Sequence, residues 1–140
     1  MYTSSIITDL VKHQKEFPEK KLRKFLVLDN CFYQAFELHP EFMSCYINNR
    51  ALRLSIIITE SYGVKMNPKM MANTDYIFIL RENLVTNKKR LYELYAGMFP
   101  TLEIFCQVMD QCTEDYECLV IDNTSRSNLL EDRVFCYNAP

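Results

Sequence analysis

Apolar residues in this chain fall into two patterns, stripes at helical spacing and short unbroken runs, and their alternation predicts the order of elements. Ser4 and Ser5 stand ahead of Ile7, Leu10, Val11, Gln14 and Phe17, an amphipathic helix that Pro18 closes. The charged connection Glu19 to Lys24 leads into Phe25-Leu26-Val27-Leu28, a run that predicts a strand buried on both faces and that ends in Asp29-Asn30. An aromatic-rich segment, Cys31 to Leu38, is broken by His39-Pro40, and helical spacing returns from about Glu41 to Arg50 with Phe42, Cys45, Tyr46 and Asn49 on one face.

Leu52 to Thr59 is a second buried strand, rich in isoleucine and followed by Glu60-Ser61. Tyr62 to Asn73 reads as a loop whose methionines, Met66, Met70 and Met71, serve either adaptable packing, the preferred reading, or a partner surface. Tyr76 to Leu80 is a third buried strand, followed by Arg81-Glu82. Two helices follow, about Thr86 to Ala96 and Thr101 to Gln111, the first stopped by Gly97 and the second started by Thr101 with Glu103 in its first turn. Tyr92, Tyr95, Phe99 and Phe105 are placed to glue this pair to a sheet. Glu117 to Ile121 is a fourth strand ending in Asp122, Asn123 to Asp132 a polar loop, and Arg133 to Tyr137 a last short strand.

This order predicts an α/β fold, a mostly parallel sheet with helices on both faces. At 140 residues and 49% hydrophobic, the chain suits one domain, residues 1–140, with a sizeable core. A formal net charge of -2 speaks against a broad, charge-driven nucleic-acid surface. Six cysteines could suggest a disulfide framework, but no secretory signal opens the chain and the spacing of Cys106, Cys112 and Cys118 matches no zinc motif, so reduced, mostly buried thiols in an intracellular protein are expected. No apolar run approaches the roughly 18 residues of a membrane span. The only glycines are Gly63 and Gly97, so the 140 residues hold no GxxxxGKS phosphate loop. His39, ahead of a proline, reads as a helix-terminal residue.

In an open α/β sheet, ligands collect beyond the carboxyl ends of the strands. Neighbouring first and second strands would set Asp29 beside Thr59, Glu60 and Ser61 there, a constellation more specific than either strand end alone. An aspartate at a strand end is where nucleoside triphosphatases hold magnesium against phosphates, and it is also a common way for a core strand to finish.

Longer stretches of the sequence carry a resemblance. Asp75-Tyr76-Ile77-Phe78-Ile79-Leu80-Arg81-Glu82-Asn83, Lys89-Arg90-Leu91-Tyr92-Glu93, Tyr95-Ala96-Gly97-Met98-Phe99-Pro100-Thr101, Phe105 to Glu114 and Tyr116 to Asn123 closely resemble the DNA-packaging ATPase of the nucleocytoplasmic large DNA viruses. That family belongs to the FtsK and HerA group of RecA-like P-loop motors. The resemblance runs from about Leu22 to Tyr137 and implies the carboxyl-terminal part of such a domain, Phe25 to Asn30 corresponding to Walker B and Ile56 to Ser61 to the sensor strand. The family's Walker A half has no counterpart here.

By this resemblance, Asp29, Asn30, Ser61, Arg50 and Arg81 would be catalytic, Thr59 and Glu60 would line the nucleotide, and Asp29 would hold Mg2+ with ATP as the other cofactor. The implied partners are further ATPase subunits, as a homo- or hetero-oligomer, and double-stranded viral DNA, with no membrane. The implied place is the cytoplasmic virus factory of the host cell or the virion. Three positions depart from the family. Asp29-Asn30 stands for two adjacent acids, Glu60-Ser61-Tyr62 for Met-Gln-Tyr, and Met71 for an arginine. An amide cannot accept a proton, so Asn30 could orient water but not deprotonate it. The expectation is a truncated or split packaging ATPase, inactive alone, with a non-catalytic paralogue that regulates an ATPase ring as the alternative. A sheet edge left uncovered would also favour self-association. An unrelated flavodoxin-like binding domain would account for the strand pattern only if the resemblance were accidental.

Overall fold

The computed structural model describes residues 4–16, 23–30, 39–61 and 66–138. The segment Cys31 to Leu38 and the linker residues before Arg23 lie outside the described residues. The fold is α/β, built as two compact units, Met1–Asn73 and Thr74–Pro140.

In the first unit, α1 (Ser4–Glu16), β1 (Lys24–Asp29), α2 (Pro40–Ile47), β2 (Leu54–Thr59) and the single turn α3 (Pro68–Met71) follow in order. β1 and β2 pair in parallel from Lys24↔Leu54 to Asp29↔Thr59, as their apolar runs imply. The inner face presents Leu26, Leu28, Leu54, Ile56 and Ile58 to Ile7, Leu10 and Val11 of α1 and to Phe42, Cys45 and Tyr46 of α2, with Met70 sealing the cluster. Gln14 also ties α1 to the chain ahead of β2, its side-chain amide donating to the Leu52 carbonyl at 2.7 Å.

Both strands differ from expectation on their other face. Phe25 and Val27 point away from the core, 70% and 59% exposed, beside a 48% exposed Ile57. Among the described residues of this unit, helices cover one face of the pair, and composition alone does not tell which face that is.

Two boundaries also move. α2 ends at Ile47, not Arg50, because Asn48 caps it through its backbone N–H and side-chain amide, both donating to the Ser44 carbonyl. The chain then turns through Arg53 at φ 51°, so β2 starts at Leu54 and not Leu52. Within the expected loop, Asn67-Pro68 starts α3, with Asn67 Oδ1 accepting from the Lys69 N–H at 2.9 Å. Met70 is fully buried, which makes that methionine core packing.

The second unit contains β3 (Tyr76–Ile79), α4 (Val85–Tyr95), α5 (Leu102–Gln111), β4 (Glu117–Asp122), a 3-10 turn (Leu130–Asp132) and β5 (Val134–Asn138). Its sheet is antiparallel in the order β3-β4-β5, whereas the sequence reading extends the parallel arrangement over these strands too. Direction of pairing is a tertiary choice: β3 alternates between exposed and covered residues, β5 is largely exposed, and only β4 is buried along its length, as suits an antiparallel sheet wet on one side. Phe99 and Phe105 meet edge to face at 5.3 Å, and Tyr92 lies 5.9 Å from Phe105, so the aromatic glue forms as expected. Thr101 caps α5 by accepting the Ile104 N–H. Lys88 of α4, buried along its stem, donates to Asp110 of α5 and joins the two helices.

Cys112 and Cys136 form a disulfide across a Cα–Cα distance of 5.0 Å, which corrects the expectation of uniformly reduced thiols. Residues 24 apart in sequence are brought together because β5 returns beside β4 at the end of α5. Cys45, Cys106 and Cys118 are free, and burial pushes the thiols of Cys45 and Cys118 up from the usual range. Among the described residues no helix is long and apolar enough to cross a membrane.

Candidate functional site

The parallel register brings the two strand ends together. Asp29 lies directly opposite Thr59, and the Thr59 hydroxyl donates to Asp29 Oδ1. One residue further, the Asn30 N–H continues the ladder to the Thr59 carbonyl at 3.0 Å. Asn30 then turns into the left-handed region at φ 48°, which asparagine tolerates better than most side chains. Its Oδ1 accepts from both the backbone N–H of Ser61, at 3.1 Å, and the Ser61 hydroxyl, at 2.7 Å.

Because a backbone N–H can only donate, the Asn30 amide is oriented with its oxygen toward Ser61 and its NH2 as a donor. The local chemistry is therefore one carboxylate, one oriented amide and two hydroxyls, all exposed at the carboxyl end of a parallel pair. Glu60 lies in the same turn, between Thr59 and Ser61.

The two arginines stand elsewhere. Arg50 is in the turn that feeds the amino-terminal end of β2, and six strand residues at about 3.3 Å each put roughly 20 Å between it and the Asp29 end. Arg81 follows β3 in the second unit, where its Nε donates to Asn83 Oδ1 at 3.4 Å.

A shallow groove beside Arg81 is lined by Leu80, Thr113, Asp115, Tyr116 and Glu117. Asp115 and Tyr116 both sit at positive φ, and Tyr116 is 99% exposed, a conformation for which the sequence carries no glycine signal. Nearby, Glu82 accepts from the Leu84 N–H and from the Asn87 side chain, both at 2.8 Å, and these bonds hold its carboxyl below the usual range.

A magnesium ion bound with nucleotide draws much of its coordination from water and phosphate and needs one or two protein carboxylates. Asp29 fits that part. Among the described residues no group of three or more His, Cys, Asp or Glu could hold a metal by itself.

No protein-family profile matches the chain. It is 31% identical over 150 residues to "Uncharacterized protein L437" of Acanthamoeba polyphaga mimivirus, covering 98% of this chain and 53% of that one. It is 32% identical over 143 residues to "Uncharacterized protein 088R" of Invertebrate iridescent virus 3, covering 99% and 54%. The chain thus spans about half the length of the curated relatives it matches.

Among solved structures it matches the genome packaging NTPase B204 from Sulfolobus turreted icosahedral virus 2, in complex with AMP, at a TM-score of 0.67 and 14% identity, over 98% of this chain and 63% of that one. The same NTPase in complex with ATP-gammaS matches at the same TM-score over 97% and 62%. The chain therefore shares the fold of a viral genome-packaging NTPase and has sequence relatives among the proteins of large DNA viruses.

Proposed function

We propose that this chain is the Walker B and sensor side of a viral DNA-packaging ATPase of the FtsK and HerA group, and that these 140 residues do not hydrolyse ATP by themselves. The observation that carries the reading is the strand-end cluster: Asp29 and Asn30 are hydrogen-bonded to Thr59 and Ser61 of the adjoining parallel strand. The fold shared with a packaging NTPase supports it.

Bound Mg2+ and ATP would supply the phosphoryl group and the charge that balances it. The chain's own part is narrower. Asp29 offers a carboxylate to the metal and its waters, Thr59 holds that carboxylate in place, and Ser61 fixes the Asn30 amide so that its NH2 can donate to an anion or a water. Proton removal and the cradling of phosphate fall to groups that these 140 residues lack. Arg50, at the far end of β2, acts across a subunit boundary or structurally. The assembled motor would be an oligomer acting on double-stranded viral DNA in the virus factory.

The test is magnesium-dependent ATP hydrolysis by the purified chain, alone and mixed with a polypeptide that contains a phosphate loop. The chain alone should show no turnover. The mixture should turn over ATP, and Asp29→Ala should reduce that rate at least about 100-fold, in keeping with the loss of a metal-holding acid. Turnover by the chain alone, lost in Asp29→Ala, would overturn the reading. A second reading, a non-catalytic paralogue that regulates an ATPase ring, is favoured by Asn30, whose amide has no proton-accepting role to play. It is the conclusion if mixing restores nothing and an intact packaging ATPase is slowed or speeded by the added chain.

A further inference from the structure

The core of the second unit closes almost without β5. The buried residues of its cluster, from Ile79 to Ile121, belong to β3, to the α4–α5 pair with its connecting turn and caps, and to β4, and none belongs to β5. Side chains alternate along a strand, so the register sets Val134 and Cys136 on the side of Ile121 and Leu119, which face that core. Val134 packs against the cluster only partly buried, and Cys136 is bonded to Cys112, the C-cap residue of α5. Further along, Asn138 donates to Glu117 Oε1 at 3.1 Å, and on the other side of the sheet Tyr137 meets Phe78 edge to face at 6.4 Å. Among the described residues β5 pairs with β4 alone. Cys118 cannot replace Cys136 in the bond, because it stands one residue before Leu119 and therefore points to the opposite side of the sheet.

We infer that the Cys112–Cys136 bond is a redox latch on β5: oxidised, it holds the strand to the end of α5, and reduced, it lets β5 leave β4 while α4, α5, β3 and β4 keep their packing. The opening reaction is exchange with a dithiol. The dithiol's two sulfurs join in a new S–S bond, the Cys112–Cys136 bond breaks, and two electrons and two protons pass to the protein, which is left with two thiols. A small disulfide such as oxidised glutathione runs the exchange backwards. Without the bond, β5 is held by a short ladder, one partly buried valine and one aromatic contact, and elements with so few buried contacts are the ones that open locally at low free energy. The latch governs the edge of β4. When β5 leaves, the N–H and C=O groups of β4 that faced it lose their partners, and a strand buried along its length presents an edge open to strand addition. A thiol-reducing compartment therefore sets the open state and an oxidising one the closed state. Nothing in this device depends on nucleotide or on the strand-end cluster of β1 and β2.

The experiment is amide hydrogen exchange on the whole 140-residue protein, purified under oxidising conditions, before and after addition of dithiothreitol. On reduction, exchange in residues 134–138 should quicken at least about tenfold, while residues 76–79 of β3 and 102–111 of α5 change by less than about twofold. Oxidised glutathione, added after the dithiothreitol is removed, should restore the slow exchange. Cys136→Ser should exchange as the reduced protein does, with or without dithiothreitol. Residues 134–138 that stay equally protected after reduction would overturn the inference, because the ladder alone would then hold β5. Equal quickening through β3 and α5, or a Cys136→Ser chain that does not fold, would overturn it in the other direction, since the bond would then hold the whole unit and not one strand. Native protein that is already reduced when purified under oxidising conditions, shown by thiol titration after unfolding, would also overturn it.

Discussion

Asn30 shows how much of the candidate site depends on one side chain. Its backbone sits at φ 48°, its N–H extends the ladder to Thr59, and its Oδ1 takes both donors of Ser61. Alanine at this position would keep none of the side-chain acceptor and would meet the left-handed steric penalty, so Asn30→Ala should cost about 1–2 kcal/mol in chemical denaturation. Asn30→Gly, which has no such penalty, should lose less. Equal losses in the two variants would show that the left-handed turn is not what asparagine is there for. Asp-Asn at the end of an apolar run is legible in the sequence as a strand end. That Ser61, and not solvent, orients the amide is not, since it depends on where the second strand stops.

At the scale of elements, α4 illustrates a start signal that residue preference hides. Its N-cap position is Leu84, which has no capping side chain, and Glu82 performs the task by accepting the Leu84 N–H and bonding to Asn87. These bonds lower the Glu82 pKa below its ordinary 4.5, chiefly through the Leu84 backbone and then Asn87, with Lys88 adding attraction. A carboxyl with a depressed folded-state pKa adds stability that is fully present above its unfolded value and is lost as pH falls through the folded one. Stability measured by urea titration should therefore decline below about pH 4.5, the ordinary glutamate range, and Glu82→Gln should flatten part of that decline. An identical acid profile for Glu82→Gln would remove Glu82 as the capping group. The helix itself is evident from its spacing, and its cap is not, because the glutamate lies three residues ahead of the first helical turn.

At the scale of the whole molecule, the disulfide is the largest feature that sequence reading places wrongly. Cysteine spacing cannot identify Cys112 and Cys136 as partners, because the pairing depends on β5 returning antiparallel to β4. Closing a loop of 24 residues restrains the unfolded chain by about 3 kcal/mol in the loop-entropy account, so Cys136→Ser, or reduction of the native protein, should lower stability by an amount of that order. Thiol titration of the unfolded, unreduced protein should find Cys112 and Cys136 unreactive. Two additional reactive thiols there would mean that the pair does not form in solution.

The amino-acid sequence by itself determined the order and type of the five strands and the longer helices, the polar strand ends at Asp29-Asn30 and Thr59-Glu60-Ser61, and the absence of a phosphate loop from these 140 residues. These are local properties, fixed by periodicity, strand-ending polar residues and glycine count. Tertiary structure decided which strands run parallel, which face of β1 and β2 is covered, the Cys112–Cys136 bond, and the separation of Arg50 from Asp29 by the length of β2. Each of these depends on residues far apart in the chain meeting in one register, and the free energy of such a meeting lies in burial and pairing that no short window of sequence contains.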